Sequence, residues 1–97
     1  KKSLCIVICS KGYPGSFKKN IEVNNLDKIN LDNDNYLFHA GTKILKNKIY
    51  AIGGRVFNFV SLSDDFADAK KKIINNISEL DWKAGFFRKD IGFKAID

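Results

Sequence analysis

The sequence has no methionine and carries one proline, one histidine and one tryptophan among its 97 residues. Without methionine the first residue is not an initiator, and the chain reads as a fragment or processed piece of something longer. His39 lies far from the two cysteines and no second cysteine pair exists, which argues against a zinc site. No Cys/His or Ser/His/Asp set can be assembled, and a general base needs a partner to orient it. His39 therefore reads as a structural residue at a strand end. Cys5 and Cys9 stand four apart, about 13 Å along a strand at ~3.3 Å per residue, too far for a disulfide. They read as reduced core thiols of a cytosolic protein. No apolar run approaches the roughly 20 residues of a membrane helix, and "LCIVIC" (Leu4 to Cys9) lacks a signal-peptide cleavage site.

Arginine is nearly absent: Arg55 and Arg88 stand against 15 lysines. The net charge of +6 admits nucleic-acid or phosphate partners. Scattered lysines also follow from a composition heavy in Lys, Asn and Ile. Base readers lean on arginine and stacking aromatics, and no basic-aromatic interleaving is present. In a chain that uses lysine almost everywhere, an arginine marks a place where a flat, bidentate fork is required. Both arginines adjoin glycine-bearing motifs, which suits oxyanion contact or a structural ion pair.

What is present is enough for one core. Hydrophobic residues make up 44% of the chain, aromatics 12%, and the length fits a single domain over residues 1–97. Leu4 to Cys9 is continuously apolar and β-branched, as suits a central strand buried on both faces. Residues 11–20 form a loop, residues 26–31 a short helical turn, and Asn35 to Ala40 a second strand. "TKILKNKIYAI" predicts a hairpin with Asn47 at its turn. Arg55 to Leu62 resumes as a strand, with Val56, Val60 and Leu62 on one face and Phe57 and Phe59 on the other. Ser63 is the expected N-cap of a helix with Asp64 and Asp65 in its first turn. Phe66, Ala69, Ile73, Ile77 and Leu80 form its apolar stripe, and Lys70, Lys71 and Lys72 cross its solvated side. Phe86 and Phe87 suit a last strand, with Asp90 and Gly92 in a tight turn. The expected class is α+β, one long helix laid on a mostly antiparallel sheet.

Three glycine clusters, "SKGYPG", "HAGT" and "IGGR", sit where predicted strands end or begin. Glycines let backbone approach a ligand and form anion nests, and they also serve ordinary turns. None matches a phosphate-binding P-loop. In order, "SKGYPG", "FHAGT", "GGRVFNF" and "FFRKDIG" resemble the C-terminal domain of the phosphoribosylamine–glycine ligase (glycinamide ribonucleotide synthetase) family, from about Ser3 to Ala95. The chain departs from the family near Asn20, where glycine is usual, and at Phe57-Asn58-Phe59, where Leu-Asn-Val is commoner.

The resemblance implies one part of an ATP-grasp ligase of early purine synthesis, cytoplasmic and bacterial. Such an enzyme uses ATP and Mg²⁺ or Mn²⁺ to join glycine to 5-phosphoribosylamine through an acyl phosphate. The family's nucleotide clamp and metal ligands lie in upstream ATP-grasp domains. The chain alone is therefore expected to be inactive and to bind no cofactor, with no nucleic-acid or membrane partner. Carried over motif by motif, Lys11 and the loop Gly12, Tyr13, Pro14 and Gly15 would line the substrate pocket. Arg55 would contact the ribose phosphate, and Arg88 would touch substrate or pair with Asp90. The alternative from another class is a stand-alone basic α+β nucleic-acid-binding module.

Overall fold

The computed structural model describes residues 2–87. In chain order the elements are β1 (Lys2–Ser10), β2 (Ile21–Val23), a 3₁₀ turn (Leu26–Lys28), β3 (Asn35–His39), β4 (Thr42–Leu45), β5 (Lys48–Ala51), β6 (Arg55–Ser63), α1 (Phe66–Leu80) and β7 (Gly85–Phe86). The strands form two sheets, ordered β3-β6-β1-β7 and β2-β5-β4, with every pairing antiparallel. The α+β class and the single helix match expectation; the division into two sheets is new. The β4–β5 hairpin turns through Lys46 and Asn47, both at positive φ (50° and 65°). That twist matches the strands it joins.

Period-two alternation sets the layers. Leu4, Ile6 and Ile8 of β1 lie opposite Ser61, Phe59 and Phe57 of β6, and all six are buried. Ala69, Ile73 and Leu80 of α1 pack down on them, while Val23 and Ala51 bring in the smaller sheet. Each such large side chain contributes about 1.5–3 kcal/mol by leaving water. Trp82 ties the parts together: its indole N–H donates to the Glu22 carbonyl at 3.1 Å, and its ring meets Phe57 edge-on at 6.4 Å.

Two expectations need correction. β1 is buried on one face, because the helix covers one side of the sheet; Cys5, Val7 and Cys9 on the other side are half-buried. The cysteines are free thiols on that second face and not core residues. The helix N-cap is Asp65, not Ser63. β6 continues through Ser63, which pairs with Lys2, so the extended cap conformation falls to Asp65 (φ −127°, ψ 127°). Its carboxylate accepts from the Ala67 N–H at 3.2 Å, a bond worth about 1 kcal/mol. Ser63 instead donates its hydroxyl to Asp68 at 2.9 Å. That bond, with Lys72 beside it, holds the Asp68 carboxyl below its usual range.

Ile73 is fully buried, so Ile73→Ala should lower the unfolding free energy by about 3 kcal/mol. Ser61 is equally buried, yet its hydroxyl finds no partner among the described residues. Ser61→Ala should therefore leave stability unchanged or raise it by about 1 kcal/mol. Urea unfolding of the two variants checks the contrast; a large loss for Ser61→Ala would show that its hydroxyl is bonded.

Candidate functional site

The three glycine clusters meet at one corner of the fold. Where β1 ends, the Ser10 N–H donates to the Gly54 carbonyl at 2.7 Å and its hydroxyl to the Gly53 carbonyl at 2.9 Å. The second cluster closes on the third: Gly41 N–H donates to the Arg55 carbonyl at 2.9 Å, and the Gly41 carbonyl accepts from Ile52 and Gly53. A Cβ on Gly41 would stand 2.6 Å from the Arg55 carbonyl oxygen and 2.7 Å from the Gly53 Cα. Backbone approaches backbone here, and no side chain fits between.

The loop after β1 folds back over this crossing. Tyr13, followed by a cis peptide bond to Pro14, donates its N–H to the Ser10 carbonyl at 3.1 Å. Its ring lies against Gly54, where a Cβ would collide with the ring atoms Cδ1 and Cε1, and meets Phe17 edge-on at 6.2 Å.

A bulge aims Arg55. The β1–β6 register runs evenly to Ile8↔Phe57, then shifts so that Cys9 faces Arg55. Val56 is the extra residue, and it is fully buried. The shift places Arg55 beside Cys9 on the sheet face turned away from the helix, as bulges commonly re-aim a side chain. There Arg55 lines a cleft of about 410 Å³ with Val7, Tyr13, Gly41, Gly54 and Asn58. Arg55 is exposed. It forms no ion pair with any described carboxylate, so among the described residues its fork has no acidic partner. Burial pushes the Cys9 thiol up, and the Arg55 guanidinium pulls it partly back.

The sequence-derived candidates are thus divided. Tyr13 and Arg55 come together, and the turn through Gly12, Pro14 and Gly15 carries Tyr13 to its place. Lys11 lines a different cleft of about 590 Å³ with Lys18, Phe17, Ile21 and Trp82. Arg88 and Asp90 lie outside the described residues. His39 ends β3, with Nδ1 3.0 Å from the Thr42 hydroxyl and its ring edge-on to Phe57 at 5.2 Å; this agrees with a strand-end role. Sequence reasoning missed Asn58, because nothing in the pattern announces the bulge that brings Arg55 to its side. Among the described residues no three His, Cys, Asp or Glu side chains gather, so the donor set does not fit a divalent metal. No helix there is long and apolar enough to cross a membrane.

The model of the phosphoribosylglycinamide synthetase C domain family matches residues 3–94. The chain belongs to that family. It is 37% identical over 93 residues to a phosphoribosylamine–glycine ligase of Fusobacterium nucleatum, covering 95% of this chain and 22% of that protein. The ligase of Caldanaerobacter subterraneus is 36% identical over 91 residues, covering 94% and 21%. A trifunctional purine biosynthetic protein adenosine-3 of Gallus gallus is 32% identical over 97 residues, covering 97% and 9%. A crystal structure of the Thermotoga maritima phosphoribosylamine–glycine ligase shares the fold, with TM-score 0.74 and 22% identity over 91% of this chain and 21% of that one. The chain spans about a fifth of the length of the single-activity ligases it matches.

Two outcomes check the geometry. Gly54→Ala should cost about 2 kcal/mol by displacing the Tyr13 ring. In a Tyr13→Ala background the cost should fall below about 0.5 kcal/mol, a coupling read by a double-mutant cycle; additive losses would contradict the ring-on-glycine contact. Alkylation needs the thiolate, so Cys9 should alkylate more slowly than a free thiol at mildly alkaline pH. Arg55→Ala removes the downward pull and should move the midpoint of that pH profile higher. An unchanged or lower midpoint would show that Arg55 points elsewhere.

Proposed function

We propose that this chain is the C-terminal domain of an ATP-dependent ligase that joins glycine to 5-phosphoribosylamine, giving glycinamide ribonucleotide, ADP and phosphate in purine biosynthesis. The observation that carries this reading is the family match over residues 3–94. Glycine is activated as its acyl phosphate and the sugar's amine attacks it, in a cytoplasmic enzyme that uses ATP with Mg²⁺ or Mn²⁺. Those ligands belong to the other domains of the ligase, and this chain alone is inactive.

The part assigned to this chain is recognition. The planar guanidinium of Arg55 holds the ribose phosphate through two parallel N–H···O bonds. The Tyr13 ring and the Gly41 and Gly54 backbone wall the cleft around it. The turn through Gly12, Pro14 and Gly15 holds Tyr13 in that wall, while Lys11, in the neighbouring cleft, and Arg88 are further candidates for substrate contact. The nucleic-acid alternative draws no support from the open sheet face, where among the described residues the guanidinium of Arg55 is the one basic group.

In the full-length ligase, Arg55→Lys keeps the charge and loses the fork. The KM for phosphoribosylamine should rise about tenfold, a loss of about 1.4 kcal/mol, while the KM for ATP changes little. Steady-state kinetics with each substrate varied separately reads this. Equal rises in both constants would overturn the phosphate assignment.

A further inference from the structure

The end of β1, the loop behind it and the segment after α1 enclose a cleft separate from the one that Arg55 lines. Its volume is about 590 Å³, within the roughly 300–1,000 Å³ of small-molecule pockets. The two clefts share no lining residue. Tyr13 lines one and Phe17 the other, and the two rings meet edge-on at 6.2 Å. Backbone bonds fix the walls. The Lys11 N–H donates to the Ala84 carbonyl at 2.9 Å, joining the end of β1 to the segment after the helix. The Asn20 N–H donates to the Ala51 carbonyl at 2.8 Å and anchors the start of β2.

Two polar side chains of this cleft are already engaged within the fold. The Trp82 indole N–H donates to the Glu22 carbonyl at 3.1 Å, and the Ser10 hydroxyl donates to the Gly53 carbonyl at 2.9 Å. An indole whose donor is occupied offers a ligand only its ring. Phe17 adds a second ring, and Ile21 and Ala84 add aliphatic surface. The polar side chains left over are the Ser16 hydroxyl and the ammonium groups of Lys11 and Lys18. Among the described residues no carboxylate lines the cleft, and neither lysine forms an ion pair.

We infer that this cleft binds a flat aromatic ring carrying a phosphate, with the chemistry of a nucleoside monophosphate. The ring lies against Phe17 and Trp82, because every base has a π-face that stacks on aromatic side chains. The phosphate meets Lys11 and Lys18, whose compact charges suit it as point donors. A sugar phosphate would leave the two rings unused, and an apolar occupant would leave the two ammonium groups unanswered. The inference goes beyond the ligase reading. The ATP of the proposed reaction belongs to other domains, so this is a separate nucleotide site, and it gives Lys11 a ligand of its own in place of the substrate contact.

The test irradiates the full-length protein with 2-azidoadenosine 5′-monophosphate and maps the label by peptide mass spectrometry. The expected result is saturable label within residues 10–21 or 82–84. Replacing both cations, Lys11→Ala with Lys18→Ala, should lower that label at least fivefold. Lys71→Ala with Lys72→Ala, on the exposed side of α1, should leave it unchanged. AMP should displace the label at a concentration at least fivefold lower than adenosine does, and ribose 5-phosphate should not displace it. Label found only outside these residues would overturn the proposal, as would equal label in the two double variants. Displacement by ribose 5-phosphate as effective as by AMP would overturn it in favour of the sugar-phosphate substrate. Equal displacement by adenosine would remove the phosphate from the assignment. Labelling needs no turnover, so an inactive protein with label here loses the ligase reading and keeps this site, and an active protein without it does the reverse.

Discussion

The site depends on one constraint: backbone must meet backbone where Gly41 crosses Gly53. The two sheets have separate ladders, and this crossing joins two of the four passages of the chain between them. β3 leads through Gly41 into β4, and β5 leads through Gly53 into β6. The paired bonds at Gly41, its N–H to Arg55 and its carbonyl from Ile52 and Gly53, lock the passages together. Arg55 leaves the crossing with its carbonyl already engaged. Its backbone is fixed before any ligand arrives, so the ordering cost of recognition falls mainly on its side chain.

The same corner explains why Tyr13 belongs to the site. The missing side chain of Gly54 leaves room that the Tyr13 ring takes, with Phe17 edge-on to that ring. The aromatic wall and the guanidinium therefore come from distant parts of the chain and meet through missing side chains. Glycine acts here by vacancy, not by flexibility.

Elements whose signal is local were legible in the sequence. The β4–β5 hairpin with Asn47 at its turn, the strand Asn35 to Ala40 and the stripe of α1 all follow from period and turn chemistry. Asn20 sits at φ 60°, a conformation open to glycine and tolerated by asparagine. What was not legible depends on pairing. The continuous apolar run of β1 reads as burial on both faces, and no local rule tells that the helix covers only one of them. The cap fell two residues later than expected because β6 gained a last pair with Lys2. The bulge at Val56, which decides where Arg55 points, exists only when β1 and β6 are laid side by side.

That dependence on pairing bears on how the site can work. Lysine fills the chain's solvated surfaces, where a compact, strongly hydrated charge suffices. Among the described residues the open sheet face carries no lysine, and the bulge delivers an arginine to its rim. Weak hydration and a planar fork suit the phosphate contact proposed above, since a guanidinium gives up solvent for a phosphate more readily than an ammonium does. Low surrounding dielectric then strengthens that pair beyond what the same groups gain in water. For that contact, the difference between the two cations is the physical reason for a fork and not a point charge at the rim of the cleft.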